Sequence, residues 1–352
     1  MQNGSQATVG VLADDLTSAA DGAGPFVMRG MAASIGCGRL PLLKRAVLAV
    51  DSGARSVSAP EAAARVAALT AQLAARDILY KTVDSTLRGH VAVELEAAFK
   101  ASGRKTLVFA PAFPAAGRTT VGGIQLVDGI PVVETVYGRD PVHPARHSTL
   151  ADLVPASIAQ VVMIDASTQD ELDAKVAAQM NPETILWMGS PGLAGALARR
   201  LAPIETPAEA LGMAGDILIV IGSANPRSHR QAAALRGTAG VTVLHSPVER
   251  QDDSAALLSR IADEAVARIR TSATGAIIAT GGDTMEAIMQ RLDIREFEVL
   301  RELEPGFPLG RASLGGQRPL LLGMKAGGFG DDETLRRAVA QLRQTSSGQQ
   351  AS

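Results

Sequence analysis

The fold is first indicated by the stretch Val9-Gly-Val-Leu-Ala-Asp-Asp-Leu-Thr17. Its first five residues form a short apolar run, typical of a strand buried on both faces, and a helical pattern follows over residues 17–29. Two adjacent carboxylates mark the junction between them. The same alternation of short apolar runs and amphipathic helices recurs along all 352 residues. The sequence therefore predicts an α/β protein with largely parallel sheets flanked by helices.

Composition supports this class and excludes several functions. Hydrophobic residues make up 46% of the chain and aromatic residues only 3%, which suits close packing of helices on a sheet. The net charge is −2 and no Lys/Arg cluster is interleaved with aromatics, so no nucleic-acid partner is expected. The one cysteine, Cys37, excludes an intrachain disulfide. The first residues lack a secretion signal, and no apolar run approaches the ~20 residues of a membrane span. We therefore expect a cytoplasmic protein with no membrane partner.

The chain is long enough for two domains. Residues 202–215 contain two prolines, two glycines and no clear strand, so they are the predicted linker. We assign residues 1–210 to a first α/β domain and 211–345 to a second, with the active site in the cleft between them. The polar tail, 346–352, is expected to be disordered. Asp128-Gly129 lies between two apolar runs and predicts a β-hairpin.

Charged residues cluster where the predicted strands of the first domain end, which is where open α/β sheets bind ligands. Asp14 and Asp15 follow the first strand, and an adjacent pair is more than helix capping requires. In Lys81-Thr-Val-Asp-Ser-Thr-Leu-Arg-Gly89, the lysine and Arg88 can bind an anion, and Asp84 can accept a hydroxyl proton. A solvated polar turn is the alternative interpretation. A third, proline-rich loop delivers Arg118.

Glycines mark the corresponding junctions of the second domain. Gly222-Ser223 and Gly281-Gly-Asp-Thr284 each join an apolar strand to a helix, so their backbone amides can approach a phosphate closely. Neither matches a Walker loop or a GxGxxG fingerprint, and a structural turn is the alternative for each. Two more stretches, 304–310 and 324–330, are predicted to be glycine-rich loops, and they favour a nucleotide pocket in which Lys325 can meet a phosphate.

Other enzyme classes have less support. His143 and His147 are four residues apart, but Pro144 between them argues against a zinc-binding helix face, so no protein-bound metal is predicted. No GxSxG motif accompanies the histidines, so a hydrolase triad is not indicated. A nicotinamide-dependent dehydrogenase fits the strands, but the first strand is followed by Asp14 and Asp15, which would repel a pyrophosphate.

Seven motifs in this order resemble the four-carbon acid sugar kinase family, and the resemblance spans nearly the whole chain. The motifs are Ala13-Asp-Asp-Leu-Thr17, Asp84-Ser-Thr-Leu-Arg-Gly89, Ala110-Pro-Ala-Phe-Pro114 with Gly117-Arg118, Gly222-Ser223, Gly281-Gly-Asp-Thr284, Pro305-Gly-Phe-Pro308 and Lys325-Ala-Gly-Gly-Phe-Gly330.

The resemblance implies a substrate-binding first domain, an ATP-binding second domain, and phosphorylation of threonate, erythronate or 3-oxo-tetronate at the terminal hydroxyl with Mg²⁺-ATP. Substrate-facing residues are then Asp14, Asp15, Lys81, Asp84, Ser85, Arg88 and Arg118. Asp84 or one of Asp14 and Asp15 is the expected base, and Lys81, Arg88 and Arg118 are expected to hold the carboxylate or to stabilise charge that develops on the transferred phosphoryl group. ATP-lining residues are Ser223, Gly281, Gly282, Asp283, Thr284, Pro305, Gly306, Phe307, Pro308, Lys325, Gly327 and Gly328, and Asp283 is expected to help place Mg²⁺. A homodimer is also expected.

Two residues depart from the family pattern beside the predicted substrate site. Ser18 stands where the family usually has Gly, and His90 stands where it often has Asn. They leave open a catalytically silent sugar-acid and nucleotide sensor with the same fold.

Overall fold

The computed structural model describes residues 7–140, 142–202, 204, 211, 213–222, 225–245, 254–304, 306–316 and 318–344. They belong to two compact units, Met1–Thr206 and Pro207–Ser352. The predicted domain boundary at residue 210 stays a prediction, because most of the predicted linker lies outside the described residues, as does the tail. Across the residues described, none of the helices combines the length and apolar character that crossing a membrane requires.

The first unit is a parallel sheet with helices on both faces. Its elements are β1 Val9–Ala13, α1 Leu16–Val27, β2 Ala33–Cys37, β3 Val47–Asp51, α2 Ala59–Leu73, β4 Ile78–Thr82, α3 Val91–Ser102, β5 Thr106–Ala110, β6 Arg118–Val121, β7 Ile124–Val127, β8 Ile130–Pro131, β9 Val161–Met163, α4 Gln169–Ala177, β10 Ile185–Gly189 and α5 Pro191–Leu201. The strands run in the order β2-β3-β1-β4-β10-β5-β9, and each pair is parallel. All their carboxyl ends therefore lie at one edge.

Alternating side chains of these strands pack against different helices. Leu12 belongs to a core cluster that includes Leu69 of α2 and Leu95 of α3. On the opposite face, a Cβ added to Gly22 of α1 would lie 2.9 Å from a methyl carbon of Val11, so α1 approaches the sheet closely. The predicted buried parallel sheet is confirmed.

Strands β6, β7 and β8 form a separate antiparallel sheet. The predicted hairpin is confirmed at its turn, where Asp128 and Gly129 have φ of 49° and 82°. Left-handed backbone at both turn residues matches the twist of the flanking strands. Strand β6 was not predicted, because it follows directly on the proline-rich loop.

The second unit contains a mixed sheet. Its described elements are β11 Asp216–Ile221, α6 Pro226–Ala233, β12 Val241–His245, α7 Ser254–Thr271, β13 Thr274–Thr280, α8 Gly282–Arg291, β14 Glu296–Glu304, β15 Phe307–Leu314, β16 Arg318–Lys325 and α9 Thr334–Arg343. Strands β12-β11-β13-β16 are parallel, and β15 and β14 continue the sheet antiparallel. The prediction of a loop over 304–310 was wrong for most of its length, because Phe307 and Pro308 begin β15.

Candidate active site

The carboxyl edge of the first sheet places Asp14 and Asp15 beside an arginine that the sequence analysis did not single out. Strands β1 and β3 are hydrogen-bonded neighbours, and Arg55 lies in the short 3-10 helix Ala54–Ser56 that follows β3. Its guanidinium is 2.7 Å from Asp14 Oδ2 and 2.7 Å from Asp15 Oδ2. One cation therefore joins both carboxylates.

The pKa values of the two carboxylates shift in opposite directions. Burial raises the pKa of Asp14, but the charges of Arg55 and Lys81 outweigh it and leave that pKa below its ordinary value. At Asp15, burial raises the pKa and the Asp14 charge adds to it, so that Arg55 offsets the rise only in part. Asp15 also caps α1, since its Oδ1 accepts a hydrogen bond from the Ser18 amide at 2.7 Å.

One oxygen of Asp14 is left for a ligand. Oδ2 accepts from Arg55 Nε at 2.7 Å, whereas Oδ1 is buried and has no hydrogen-bond partner. Buried polar atoms are nearly always hydrogen-bonded, and an exception calls for an explanation. A bound hydroxyl group would satisfy this oxygen.

The turn after β4 is built around Asp84. Its Oδ2 accepts from Thr86 Oγ1 at 2.8 Å and from Arg88 Nε at 2.6 Å. Arg88 also reaches Asp140, with Nη1 3.3 Å from Oδ2. Burial raises the pKa of Asp84, but Arg88 and Arg55 outweigh it and lower that pKa. Asp84 is thus an ionised carboxylate that already accepts hydrogen bonds from Thr86 and Arg88.

Backbone strain shapes the same turn. Leu87 has φ of 56°, unusual for a residue with a side chain, and its burial in the core holds it there. Strain of this kind is common at functional sites. Gly89 has φ of 92°, and a Cβ added to it would lie 3.7 Å from Asp14 Oδ2. The turn therefore lies directly beside the Asp14 carboxylate.

Lys81 lies inside the unit rather than at its edge. Its Nζ is 2.8 Å from Glu94 Oε2, and the two side chains are only 2% and 3% exposed. Nζ also donates to the Thr82 carbonyl at 2.8 Å. In the structure Lys81 therefore acts on the site through its charge. Burial raises the pKa of Asp14, Arg55 lowers it, and the Lys81 charge lowers it further.

The small antiparallel sheet is hydrogen-bonded to the turn after β4 through Gln125. Gln125 of β7 is fully buried, and its Nε2 donates to the Ser85 carbonyl at 2.7 Å and to the Pro111 carbonyl at 3.2 Å. Its Oε1 accepts from Thr120 Oγ1 at 2.6 Å. Gln125 was not predicted, because nothing in the neighbouring sequence marks it as buried.

Arg118 and Arg88 meet at Tyr137. Arg118 Nη2 donates to the Tyr137 hydroxyl at 2.8 Å, and its Nη1 donates to the Ala116 carbonyl. The Cζ atoms of Arg88 and Arg118 lie 5.2 and 5.7 Å from the centre of the Tyr137 ring. Of the predicted substrate residues, the structure thus gathers Asp14, Asp15, Asp84, Ser85, Arg88 and Arg118 at one edge and adds Arg55, Gln125 and Tyr137.

Glycines line the corresponding edge of the second unit. Strands β11, β13 and β16 end side by side, with Ile221 opposite Thr280 and Thr280 opposite Lys325. A Cβ added to Gly222 would lie 1.8 Å from Thr284 Oγ1, so only glycine fits there. Helix α8 begins at Gly282, and the amides of Gly282 and Asp283, at its start, precede the first helical hydrogen bonds and favour an anion.

Lys325 supports the glycine-rich loop 326–330. Its Nζ donates to the carbonyls of Ala326, Gly327 and Phe329 at 2.9, 3.3 and 3.0 Å. It is 1% exposed, and burial is the main reason that its pKa falls to about 8. The buried ammonium group therefore holds three carbonyls of the loop by hydrogen bonds.

Helix α6 holds the same loop from the side. Arg227 Nη1 donates to the Gly328 carbonyl at 3.0 Å, Ser228 Oγ to the Gly327 carbonyl at 2.6 Å, and Gln231 Nε2 to the Phe329 carbonyl at 3.0 Å. With its carbonyls engaged, the loop is held in one shape. Ser228 and Gln231 were not predicted, because their roles are visible only once the helix is placed beside the loop.

Other predicted nucleotide residues differ in where the structure places them. Gly306, with φ of 74°, would bring a Cβ to 2.8 Å from the Phe329 ring, so it borders the same loop. Phe307 is fully buried and Asp283 lies on the exposed surface of the first turn of α8. Ser223 and Pro305 lie outside the described residues. Among the residues that are described, no group of three or more His, Cys, Asp or Glu side chains could hold a metal ion.

One unit thus offers a charged edge for a small polar molecule and the other offers glycine-lined strand ends for a phosphate group, as in enzymes that act on a small substrate with a nucleotide. Two family models match: a sugar-binding N-terminal domain over residues 9–160 and a nucleotide-binding C-terminal domain over residues 246–335.

Curated relatives extend the match to the whole chain. A D-threonate kinase from Bordetella bronchiseptica is 30% identical, with 96% of this chain and 98% of that protein aligned. A D-threonate kinase from Cupriavidus necator is 31% identical, with 92% and 95% aligned. A 3-oxo-tetronate kinase from Pseudomonas fluorescens is 25% identical, with 95% and 97% aligned. The chain therefore belongs to the four-carbon acid sugar kinase family, and it is a phosphotransferase with an alcohol group as acceptor.

Solved structures share the fold. A crystal structure of a protein from Salmonella typhimurium LT2 superposes with a TM-score of 0.78 at 20% identity, covering 94% of this chain and 98% of that one. A Bordetella bronchiseptica protein with bound citrate, crystallised as a domain-swapped dimer, is 29% identical with a TM-score of 0.50, covering 95% and 98%. The family resemblance and the predicted α/β class are both confirmed.

Proposed function

We propose that the protein transfers the γ-phosphate of ATP to the terminal hydroxyl of a four-carbon sugar acid, with D-threonate the first substrate to test. The relatives at 30% and 31% identity are both named D-threonate kinase, which supports this choice over D-erythronate and 3-oxo-tetronate. The observation that carries the proposal is the buried, unpartnered Oδ1 of Asp14 beside the Arg55 guanidinium. It is suited to a hydroxyl donor held among charges.

Asp14 is the proposed proton acceptor. Both oxygens of Asp15 are engaged, one by the Ser18 amide and one by Arg55, and Asp84 is bound by Thr86 and Arg88. Asp14 alone among the three keeps a free oxygen in a buried position, where a hydroxyl would bind in hydrogen-bond range as general-base catalysis requires. Arg55 and Arg88 would stabilise charge that develops on the transferred group.

The nucleotide belongs, in this proposal, to the glycine-lined edge of the second unit. The backbone amides of Gly282 and Asp283 and the loop 326–330 would bind its phosphates, and Gly222 allows Thr284 to pack closely against the end of β11. Mg²⁺ fits as a metal carried by the phosphate oxygens, because the described residues contain no cluster of three or more side chains that could hold it by themselves. Asp283, in the first turn of α8, would then be its candidate protein ligand. Bound there, the metal would neutralise charge on the phosphates.

The silent-sensor alternative is not favoured. Ser18 contributes its backbone amide to the Asp15 cap, a bond that glycine would make equally, so this departure leaves the site unchanged. His90 directs Nε2 to the Val57 carbonyl at 2.8 Å and so does not block Asp14.

Turnover tests the proposal directly. ADP formation should be measured over a panel of D-threonate, D-erythronate and 3-oxo-tetronate, with L-threonate as a stereochemical control. In Asp14→Asn, kcat should fall about 10²-fold or more because the proton acceptor is lost, while the KM for ATP stays within about twofold because the proposed nucleotide site is in the other unit. Asp152→Asn, at an exposed carboxylate of the same unit, is the matched control and should leave kcat unchanged. Wild-type turnover in Asp14→Asn would remove Asp14 from the mechanism.

We also propose a homodimer. The domain-swapped dimer of the Bordetella bronchiseptica protein supports it. Light scattering after size exclusion should give about twice the mass of the 36.3 kDa chain. A single-chain mass at micromolar concentration would contradict it.

A further inference from the structure

Charge pairing distinguishes Arg118 from the other cations at the substrate edge. The other cations already face carboxylates: at the edge, Arg55 faces Asp14 and Asp15 and Arg88 faces Asp84 and Asp140, and Lys81, in the interior, faces Glu94. Within the part of the chain that the structure describes, Arg118 forms no ion pair. Its charge is the one that this edge leaves uncompensated.

Neutral groups hold Arg118 in place. Its Nη2 donates to the Tyr137 hydroxyl at 2.8 Å and its Nη1 to the Ala116 carbonyl, while its buried Nε has no hydrogen-bond partner. A guanidinium offers five donors in a rigid fork that matches a carboxylate. This arrangement therefore presents a fixed cation with a buried N–H still to be satisfied.

We infer that Arg118 is the receptor for the substrate carboxylate and that Tyr137 is the residue that positions it. The inference rests on the proposed function, and it selects one of the three cations that the sequence alone left as equal candidates. With the carboxylate at Arg118 and the terminal hydroxyl at Asp14, the acid is bound at both ends. Tyr137 also contacts Arg88, so one ring connects carboxylate recognition with the turn that holds Asp84.

Kinetics separate this role from a structural one. In Arg118→Gln, the KM for the sugar acid should rise on the order of 10²-fold, because the carboxylate loses a charged partner in a desolvated site, while the KM for ATP stays within about twofold. Tyr137→Phe keeps the ring and removes the hydroxyl, so the KM for the acid should rise about tenfold with kcat nearly unchanged. Arg118→Lys should recover part of the Arg118→Gln loss. An unchanged KM for the acid, or an equal loss for both substrates, would overturn the inference.

Fluorine NMR provides a readout that needs neither turnover nor a variant of the site. The chain has two tyrosines, and Tyr80 is buried in the core, so 3-fluorotyrosine labelling should give two resonances, assigned with Tyr80→Phe. D-threonate added without nucleotide should shift the Tyr137 resonance and leave that of Tyr80 in place. A neutral four-carbon polyol at the same concentration should shift neither.

The same titration distinguishes this inference from the proposed function. A Tyr137 shift in a protein that forms no ADP with any acid would support the carboxylate site and reject the kinase proposal. ADP formation from D-threonate without a Tyr137 shift would reject Arg118 as the receptor and leave the kinase proposal standing.

Discussion

The buried pair of Lys81 and Glu94 allows a structural role for the lysine to be separated from a role in substrate binding. Breaking a buried ion pair leaves one charge uncompensated and costs about 3–5 kcal/mol. In Lys81→Met, Glu94 would keep that charge at 3% exposure. We expect unfolding of the first unit to lose about 3–5 kcal/mol, a fall in Tm of roughly 6–20 °C for a unit of this size.

Removing both charges should restore most of the stability. Replacing a buried ion pair with apolar residues of similar volume is often neutral or stabilising, so Lys81→Met combined with Glu94→Leu should lie within about 2 kcal/mol of the wild type. Urea unfolding can be followed by the fluorescence of Trp187, the one tryptophan of the chain. It is buried in β10, where its neighbour Met188 lies opposite Lys81, so it reports on this part of the sheet.

An exposed pair on the same helix provides the control. Lys100 and Glu96 of α3 are 64% and 37% exposed, and an exposed pair contributes at most about 1 kcal/mol, so Lys100→Met should leave the urea midpoint nearly unchanged. Additive losses in the Lys81→Met and Glu94→Leu double variant would refute the ion-pair argument. If the double variant is stable but its KM for the acid rises 10²-fold, Lys81 binds substrate after all.

Two further predictions concern the second unit. Gly222→Ala places a Cβ 1.8 Å from Thr284 Oγ1, so Thr284 must shift and the stabilisation of the protein by ATP against heat should be lost. In the control Gly195→Ala, the new Cβ would meet only the flexible end of an arginine, so this variant should behave as the wild type. Retained ATP binding in Gly222→Ala would contradict the assignment of the nucleotide to this edge of the second unit. Burial raises the pKa of Glu302 from 4.5 to about 7, against a weak opposing bond from the Gly306 amide. Between about pH 4.5 and 7, Glu302 is therefore protonated in the folded state but ionised in the unfolded state. The contribution of this proton to the free energy of unfolding is complete below about pH 4.5 and is lost as the pH rises through about 7. The loss is on the order of 1–2 kcal/mol for this partly exposed group. Thermal melts at pH 5 and pH 8 should show this fall in the wild type, and Glu302→Gln should lack it; equal falls in both proteins would assign the pH dependence to another group.

The predicted parallel strands were recognisable because both of their faces are buried, which produces continuous apolar runs such as Val9–Ala13 and Asp216–Ile221. Strands that depart from this pattern were missed. In β14, Glu296–Glu304, buried residues alternate with partly exposed ones, and the Pro and Gly that follow suggested a loop. Strand β2, Ala33–Cys37, is built largely of small residues with little strand preference.

The site was predicted less completely than the fold, and its charged residues show why. Lys81 and Lys325 are the fourth residue of β4 and the last of β16. Both side chains are buried, at 2% and 1% exposure, and each donates to the carbonyl of the next residue. A residue inside a doubly covered strand directs its side chain into one of two packed faces, so its charge must be satisfied within the protein. Arg55 and Arg88 stand in the connections after the strands and keep 23% and 28% exposure. A sequence motif records which residues are close along the chain, whereas the position of each cation relative to the end of its strand decides whether its side chain is buried in the sheet or reaches the edge.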